Sequence, residues 1–519
     1  MIQFAGISPR ADIHKWSVQA EMQLGIKRRV RQELSHKALQ CGGDNKIMRK
    51  TKIVCTIGPA SESEEMLRAL IKAGMNVARF NFSHGTHEEH RAKFERLINI
   101  RRQLNLPIAT LLDTKGPEIR LRDFRDGKVE LKEGQKFTLT TDEIEGDSSR
   151  VSITYKELPE DLKKGSTVLI DDGLIEMTVD EIKGKDIICT VKNGGPLSNH
   201  KGVNVPGTNL SMPFISEQDR KDIIFGCDMG FDMIACSFVR TADDIRQVKQ
   251  ILKEHDSHMM IIAKIESVQG VQNLESILEE ADGIMVARGD LGVEVPFETV
   301  PVLQKQMIKM AEHEGKQVIT ATQMLESMIH NPRPTRAEAA DVANAIYDGT
   351  TAIMLSGETA AGAYPIQAVQ AMAHIAERTE VDIDYMRRMM RRAVDGSKID
   401  TTTAISHSAC TISEDIKADA IITVTMSGFT AARLSRYKPT CPILACTTKS
   451  SVACRMNILF DVYPLIIQEE ETASQLFDTA IHQARLAGYI KPGDTVVITA
   501  GVPLGRSGKT NMVRVETVE

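Results

Sequence analysis

Met260-Ile-Ile-Ala-Lys-Ile-Glu266 and, a short helix further on, Gly283-Ile-Met-Val-Ala-Arg-Gly-Asp-Leu291 share one design: a strand-length apolar run that ends in charged residues. The same design recurs along the chain, each copy followed by an amphipathic helical stretch. The runs are Lys52 to Gly58, Asn76 to Ser83, Pro107 to Thr114, Met233 to Val239, Met260 to Glu266, Gly283 to Leu291, Gln317 to Met324 and Ala352 to Glu358. Eight strand–helix units predict a closed (β/α)8 TIM barrel. Ser61-x-x-Glu64 and Thr335-x-x-Glu338 read as capping boxes at helix starts.

Two segments do not fit the repeat. About 118 residues separate the third run from the fourth, more than one crossover helix needs. Alternating runs at Lys128 to Leu131, Lys136 to Thr140, Thr167 to Ile170 and Asp186 to Val191 predict an inserted small β-barrel lid at 117–212. The catalytic barrel then comprises 49–116 and 213–382. Strand-like runs at Ala420 to Thr425, Pro442 to Thr447, Val462 to Ile467 and Thr495 to Ala500 predict a doubly wound α/β domain over 383–519. Residues 1–48 carry net charge +4 against −10 for the rest; they read as a dispensable extension, and a translation start at Met48, just before the first patterned run, is equally consistent with the sequence.

Composition narrows the class. With 519 residues, 42% apolar and 26% charged, several domains are expected, and no apolar run reaches the ~18 residues of a membrane helix. The 64 Lys+Arg against 70 Asp+Glu include no long basic block, so nucleic acid is not an expected partner. Nine cysteines without a C-x-x-C pair suggest reduced thiols in a cytoplasmic protein. Gly508-Lys509-Thr510 lacks the first glycine of a P-loop, where Pro503 stands, and no G-x-G fingerprint occurs. His84, His87 and His90 have metal-like spacing, but beside Glu88 and Glu89 in a first helical turn they are expected to be solvated.

In a barrel of this type the active site collects where the strands end. Those ends present Arg79, Asn81, Ser83, Asp113, Thr114, Ser237, Lys264, Glu266, Arg288, Asp290, Thr322, Ser356 and Glu358. Charged groups at an apolar barrel's edge are unfavourable unless paired or ion-bound. Glu266 and Asp290, on adjacent strands, suit a magnesium or manganese ion, the alternative being a carboxylate pair sharing a proton. Lys264 and Arg79 supply the positive charge that phosphoryl transfer requires. The oxygens of Asn81, Ser83, Asp113 and Thr114 suit a monovalent ion.

Lys52-Ile-Val-Cys-Thr-Ile-Gly-Pro59, Ala78-Arg-Phe-Asn-Phe-Ser-His-Gly85, Leu112-Asp-Thr-Lys-Gly-Pro-Glu-Ile-Arg120, Met285-Val-Ala-Arg-Gly-Asp-Leu-Gly292 and Thr320-Ala-Thr-Gln-Met-Leu-Glu-Ser-Met328 resemble the motifs of pyruvate kinase. The resemblance runs over about 49–519 and is nearest to bacterial, fructose-bisphosphate-type members. It implies transfer of the phosphoryl group of phosphoenolpyruvate to ADP, with Mg2+ (or Mn2+) on Glu266 and Asp290 and K+ on Asn81, Ser83, Asp113 and Thr114. It further implies Arg79, Lys264, Gly289, Asp290 and Thr322 around the substrate, with Thr322, Ser356 and Glu358 on the proton path. Pro59, Asn81, His84, Arg120 and Lys201 would meet the nucleotide. Glu118 stands where potassium-dependent members carry glutamate. A homotetramer is implied, as is a phosphorylated sugar or nucleotide effector held by Thr425, Ser427, Gly428 and Thr430 with Arg506 and Lys509. The competing readings are a metal-dependent barrel lyase or aldolase acting through a pyruvate enolate and a non-catalytic effector-binding scaffold.

Overall fold

The computed structural model of the chain describes residues 48–392, 400–503 and 510–519. The eight apolar runs become strands β1 (Lys52–Thr56), β2 (Val77–Asn81), β3 (Ala109–Asp113), β4 (Met233–Cys236), β5 (Met260–Ile265), β6 (Gly283–Ala287), β7 (Gln317–Ala321) and β8 (Ala352–Leu355). All pair in parallel with their sequence neighbours, and β1 closes on β8 with Lys52 opposite Ala352 and Cys55 opposite Leu355. Every residue of β1, β3, β4, β6, β7 and β8 is buried. Both faces of a parallel sheet are covered by its own crossovers, so its strands read as continuous apolar runs.

Two of the outer helices are α1 (Val300–Glu314) and α2 (Arg336–Asp348). The box at α2 forms as read: Thr335 Oγ1 accepts the Glu338 N–H at 3.2 Å and the Glu338 carboxylate accepts the Thr335 N–H at 2.7 Å. The box expected at Ser61 does not form. Ser61 Oγ turns inward to accept the Gly58 N–H at 3.0 Å, and Ser63 caps the helix Glu64–Ala73 instead.

The inserted segment builds a seven-stranded sheet, antiparallel but for one edge pair, and a two-stranded ribbon over a core that includes Phe137, Leu139, Ile170 and Met177. These two sheets stand where the alternation predicts a small barrel. The last domain is a five-stranded sheet in the order Val462–Ile466, Ile443–Thr447, Ala420–Val424, Thr495–Ala500 and Met512–Thr517. Only the final strand runs antiparallel. Successive residues such as Ala420 and Ile421 enter different cores on the two faces, as a doubly wound sheet requires. Helix α3 (Phe429–Tyr437) follows the strand Ala420–Val424 and packs in the core that includes barrel residues Val54, Leu111 and Met285. No helix among the described residues is long and apolar enough to cross a membrane.

Candidate active site

Parallel register brings the strand ends together. Asn81 lies opposite Asp113, and Asp113 opposite Ala235 of β4, so the next residues of β4 and β5 face the same space. Asp113 is fully buried and accepts from Arg79 Nε at 2.6 Å on one oxygen and from Lys264 Nζ at 3.1 Å on the other. Burial pushes its carboxyl up, but Arg79 and Lys264 outweigh that and hold it below the usual range. Lys264 Nζ also meets Glu266 Oε1 at 3.0 Å and Ser237 Oγ at 2.7 Å. Burial pulls on its ammonium, yet Asp113 and Glu266 raise its pKa on balance. Lys264 is therefore a fixed positive charge. Burial, with the Asp290 carboxylate adding to it, raises Glu266, whose second oxygen accepts the Phe238 N–H at 2.6 Å.

Ser237 is the group the sequence reading placed at a strand end without a role. It donates to Thr114 O at 2.6 Å, lies 3.4 Å from Asp113 Oδ1 and receives Lys264, tying three assigned residues together. Asn81 Oδ1 accepts the Ser83 N–H at 3.1 Å, Asn81 and Asp113 stand opposite each other at the ends of β2 and β3, and Thr114 Oγ1 accepts the Ser237 N–H at 3.1 Å.

At the ends of β6 and β7 the backbone departs from ordinary geometry. Thr322 and Gln323 have φ of 63° and 52°, and a β-branched residue in this region is a true outlier. Arg288 holds them there. Its guanidinium donates to Thr322 O at 2.7 Å, Gln323 O at 3.2 Å and Ala321 O at 3.3 Å, and is anchored by Asp341 of α2 at 2.7 Å. Sequence reasoning put Arg288 among the strand-end residues but gave it no function; the partner that explains it lies 53 positions away.

Several assigned residues sit differently from expectation. The Gly289 N–H points to Thr322 Oγ1 at 2.8 Å rather than into open space. Glu358 is buried, and its two oxygens accept the N–H groups of Leu325 at 3.0 Å and Ser356 at 2.7 Å. It braces the loop behind Thr322 and Ser356, which line the cleft. Lys201 pairs with Asp171 of the lid at 2.9 Å. Of the three histidines only His84 is exposed. His87 meets Asp222 at 2.6 Å and stays partly exposed, whereas buried His90 stacks on Phe82 with its Nε2 on His84 O at 2.9 Å, so the solvated reading fails for His90.

Two spaces adjoin at Asp290. One, of about 380 Å3, lies between lid and barrel and is lined by Glu118, Arg120, Asp172, Phe238, Ser267 and Glu294 among others. The other, of about 950 Å3, is lined by Gly289, Thr322, Ser356 and residues of α1 and α2. The lid touches the barrel here: Asn204 Nδ2 donates to Glu294 Oε1 at 3.2 Å. In the C-terminal domain Thr425 Oγ1 accepts the Gly428 N–H at 3.0 Å, and Thr430 Oγ1 meets Thr510 Oγ1 at 2.5 Å. Arg506 and Lys509 lie outside the described residues.

A (β/α)8 barrel with an inserted β domain, a buried lysine among carboxylates at the strand ends and an appended α/β domain defines a three-domain barrel protein with a charged cleft at the strand ends. Residues 48–369 match the pyruvate kinase barrel domain and 403–516 the pyruvate kinase alpha/beta domain. The chain is 49% identical to pyruvate kinase of Clostridium acetobutylicum over 474 residues, 91% of this chain and all of that one. It is likewise 49% identical to pyruvate kinase of Geobacillus stearothermophilus, covering 80% of that relative. A solved pyruvate kinase of Cryptosporidium parvum superposes with a TM-score of 0.88 at 40% identity, over 92% of this chain and 98% of the other. The chain belongs to the pyruvate kinase family. Its reaction is transfer of the phosphoryl group of phosphoenolpyruvate to ADP, giving pyruvate and ATP, and neither a lyase nor a scaffold is favoured.

Proposed function

We propose that Glu266 and Asp290 hold a magnesium or manganese ion, and that Lys264 and Arg79 neutralise the phosphoryl group between phosphoenolpyruvate and ADP. The supporting observation is the charge balance of the pocket. Three carboxylates, Asp113, Glu266 and Asp290, face two cations, Arg79 and Lys264, and Glu266 is raised in part by Asp290. A divalent ion fits this pair because two carboxylates supply hard oxygens and leave positions open to substrate. Bound there, it stabilises charge developing on phosphoryl and enolate oxygens.

The remaining roles belong to the chain. Lys264 stays protonated and acts as a preorganised charge. Asn81, Ser83, Asp113 and Thr114 bind potassium through oxygen donors. Thr322, Gly289 and Asp290 hold the substrate carboxylate, which displaces Thr322 Oγ1 as acceptor of the Gly289 N–H. Ser356 and Thr322 line the route of a proton to the enolate while Glu358 fixes their loop. Pro59, Asn81, His84, Arg120 and Lys201 meet ADP, Lys201 after exchanging Asp171 for phosphate. Lid closure through contacts such as Asn204 with Glu294 excludes water from the transfer.

A phosphorylated metabolite, fructose 1,6-bisphosphate first and a sugar or nucleotide monophosphate second, binds the loop Thr425 to Thr430 with Arg506 and Lys509. The supporting feature is Gly428, whose φ of 88° opens α3 with its N-terminus toward that loop. Exposed Phe297, Val302 and Met310, in and beside α1, support assembly into a homotetramer. The described cysteines are free thiols, in keeping with a cytoplasmic enzyme. Asp290→Asn tests the central assignment. It should weaken magnesium at least tenfold, with partial rescue by manganese, while equal magnesium affinity in variant and parent refutes it.

A further inference from the structure

Helix α3 begins at the phosphate loop and ends on the barrel. Its nine residues span about 14 Å. Past its end the backbone of Lys438 turns left-handed, with φ of 49°, and the side chain enters the barrel's lower face, 3% exposed. There its ammonium donates to Gly349 O, pairs with Glu312 Oε1 at 2.8 Å and lies 4.8 Å over the ring of Phe460. Arg436, in the last turn of α3, donates to His313 O. Glu312 and His313 end α1, and Gly349 caps α2. Two cations from the end of one helix thus close the carbonyl ends of two others. A side chain at Gly349 would be strained by its φ of 106°, and its Cβ would stand 2.9 Å from Glu312 Oε1 and displace it.

The two helices gripped by Lys438 are those that support Arg288. On α2, Asp341 accepts from Arg288 at 2.7 Å; on α1, Gln304 Oε1 lies 3.4 Å from Arg288 Nη1, and its Nε2 reaches Asp348 of α2 at 3.1 Å. Arg288 in turn fixes Thr322. The chain of contacts therefore runs unbroken from the phosphate loop to the proposed substrate-carboxylate pocket without crossing a subunit boundary. The pair Lys438–Glu312 is the link in this chain that a single substitution removes.

We propose that Lys438 couples occupancy of the C-terminal phosphate loop to phosphoenolpyruvate binding, by carrying movement of α3 into α1 and α2. This rests on the effector site proposed for that loop, and the experiment separates the two. Calorimetry with fructose 1,6-bisphosphate comes first, on the parent enzyme. Steady-state kinetics then give the ratio of half-saturating phosphoenolpyruvate without and with that ligand, for the parent, Lys438→Met and Glu312→Gln. The parent ratio should lie within about 5 to 150, the range of ordinary allosteric coupling. In both variants it should fall at least threefold toward unity, with bisphosphate affinity within about twofold of the parent and the maximal rate unchanged. Lys438→Met with Glu312→Gln should lose no more than either alone, as for one shared contact. Binding and a full parental ratio in the variants overturn the coupling role while leaving the effector site standing. Absence of binding in the parent overturns the effector reading and the coupling with it. If Lys438→Met fails to fold, Glu312→Gln alone decides, since it keeps the buried lysine and its carbonyl partner.

Discussion

Arg288→Lys isolates the strained loop from the charges of the site. Lysine preserves one positive charge near Asp341 but replaces a planar fork by a single ammonium, which cannot serve Ala321, Thr322 and Gln323 together. Thr322 in the left-handed region costs about 1–2 kcal/mol. A hydrogen bond to a charged donor returns about 1.5–3 kcal/mol. The two are comparable, so losing the 2.7 Å bond to Thr322 O is enough to let the loop relax to ordinary geometry. If the competent loop becomes the minor state by that margin, apparent affinity falls by the same factor. At about 1.4 kcal/mol per decade this is about a 10- to 100-fold rise in half-saturating phosphoenolpyruvate. Half-saturating ADP should stay within twofold, because no nucleotide contact is assigned to this loop. Steady-state titration of each substrate, with far-UV circular dichroism to confirm folding, makes the measurement. An unchanged phosphoenolpyruvate value in a folded variant, or an equal rise for ADP, refutes the argument that Arg288 positions Thr322.

Lys264→Met removes a fixed charge while leaving Glu266 and Asp290 in place, and phosphoryl transfer should slow by at least about 10²-fold, as for one preorganised donor; near-normal transfer to ADP in stopped flow contradicts the role. Glu118, bonded to Arg120 Nε at 2.5 Å, should make activity potassium-dependent: full turnover with tetramethylammonium as the only monovalent cation counts against this, and Glu118→Lys should relieve the requirement. Lys52 is buried beneath the barrel with Nζ on Val462 O at 2.6 Å, and burial above all, with Arg49 adding, brings its pKa down to about 7. The unfolded chain then holds more protons than the native one between about pH 7 and 10, so this group makes stability rise across that window, by at most about 1.4 kcal/mol per pH unit. Chemical denaturation at pH 7 and pH 9 should show a shallower rise in Lys52→Met, and an identical rise in both proteins contradicts the assignment.

The barrel was legible because its signal is local: a parallel strand is apolar along its whole length and polar where it leaves the sheet. Strand order then came from chain order, since consecutive parallel strands tend to be neighbours. Lys264, Glu266, Asp113 and Arg79 were found in this way, each as the polar terminus of a run. What the same reasoning missed are the contacts made sideways. Ser237 was seen as a strand-end hydroxyl, but that it receives Lys264 and donates to Thr114 depends on side-chain reach between β3, β4 and β5. His90 was read as a surface residue because its helix begins in a polar turn; stacking on Phe82 and the carbonyl of His84 decide its burial, and neither can be read from spacing along one helix. Ser61 failed as a cap for a similar reason, since a nearer backbone donor, Gly58 N–H, had the first claim on it.

Arg288 shows why such misses concentrate around function. From sequence it is one more strand-end cation beside Arg79, with no function of its own. In the fold their guanidiniums face different acceptors. Arg79 binds Asp113 and Thr56 at the barrel mouth, whereas Arg288 binds backbone carbonyls of the following strand's end and a carboxylate on an outer helix. Charge placed against carbonyls holds the backbone; charge placed against a buried aspartate stays at the barrel mouth, between the strand ends. The division between the two arginines is therefore set by which acceptor each reaches, and the left-handed Thr322 beside Arg288 marks Arg288 as the one that holds backbone.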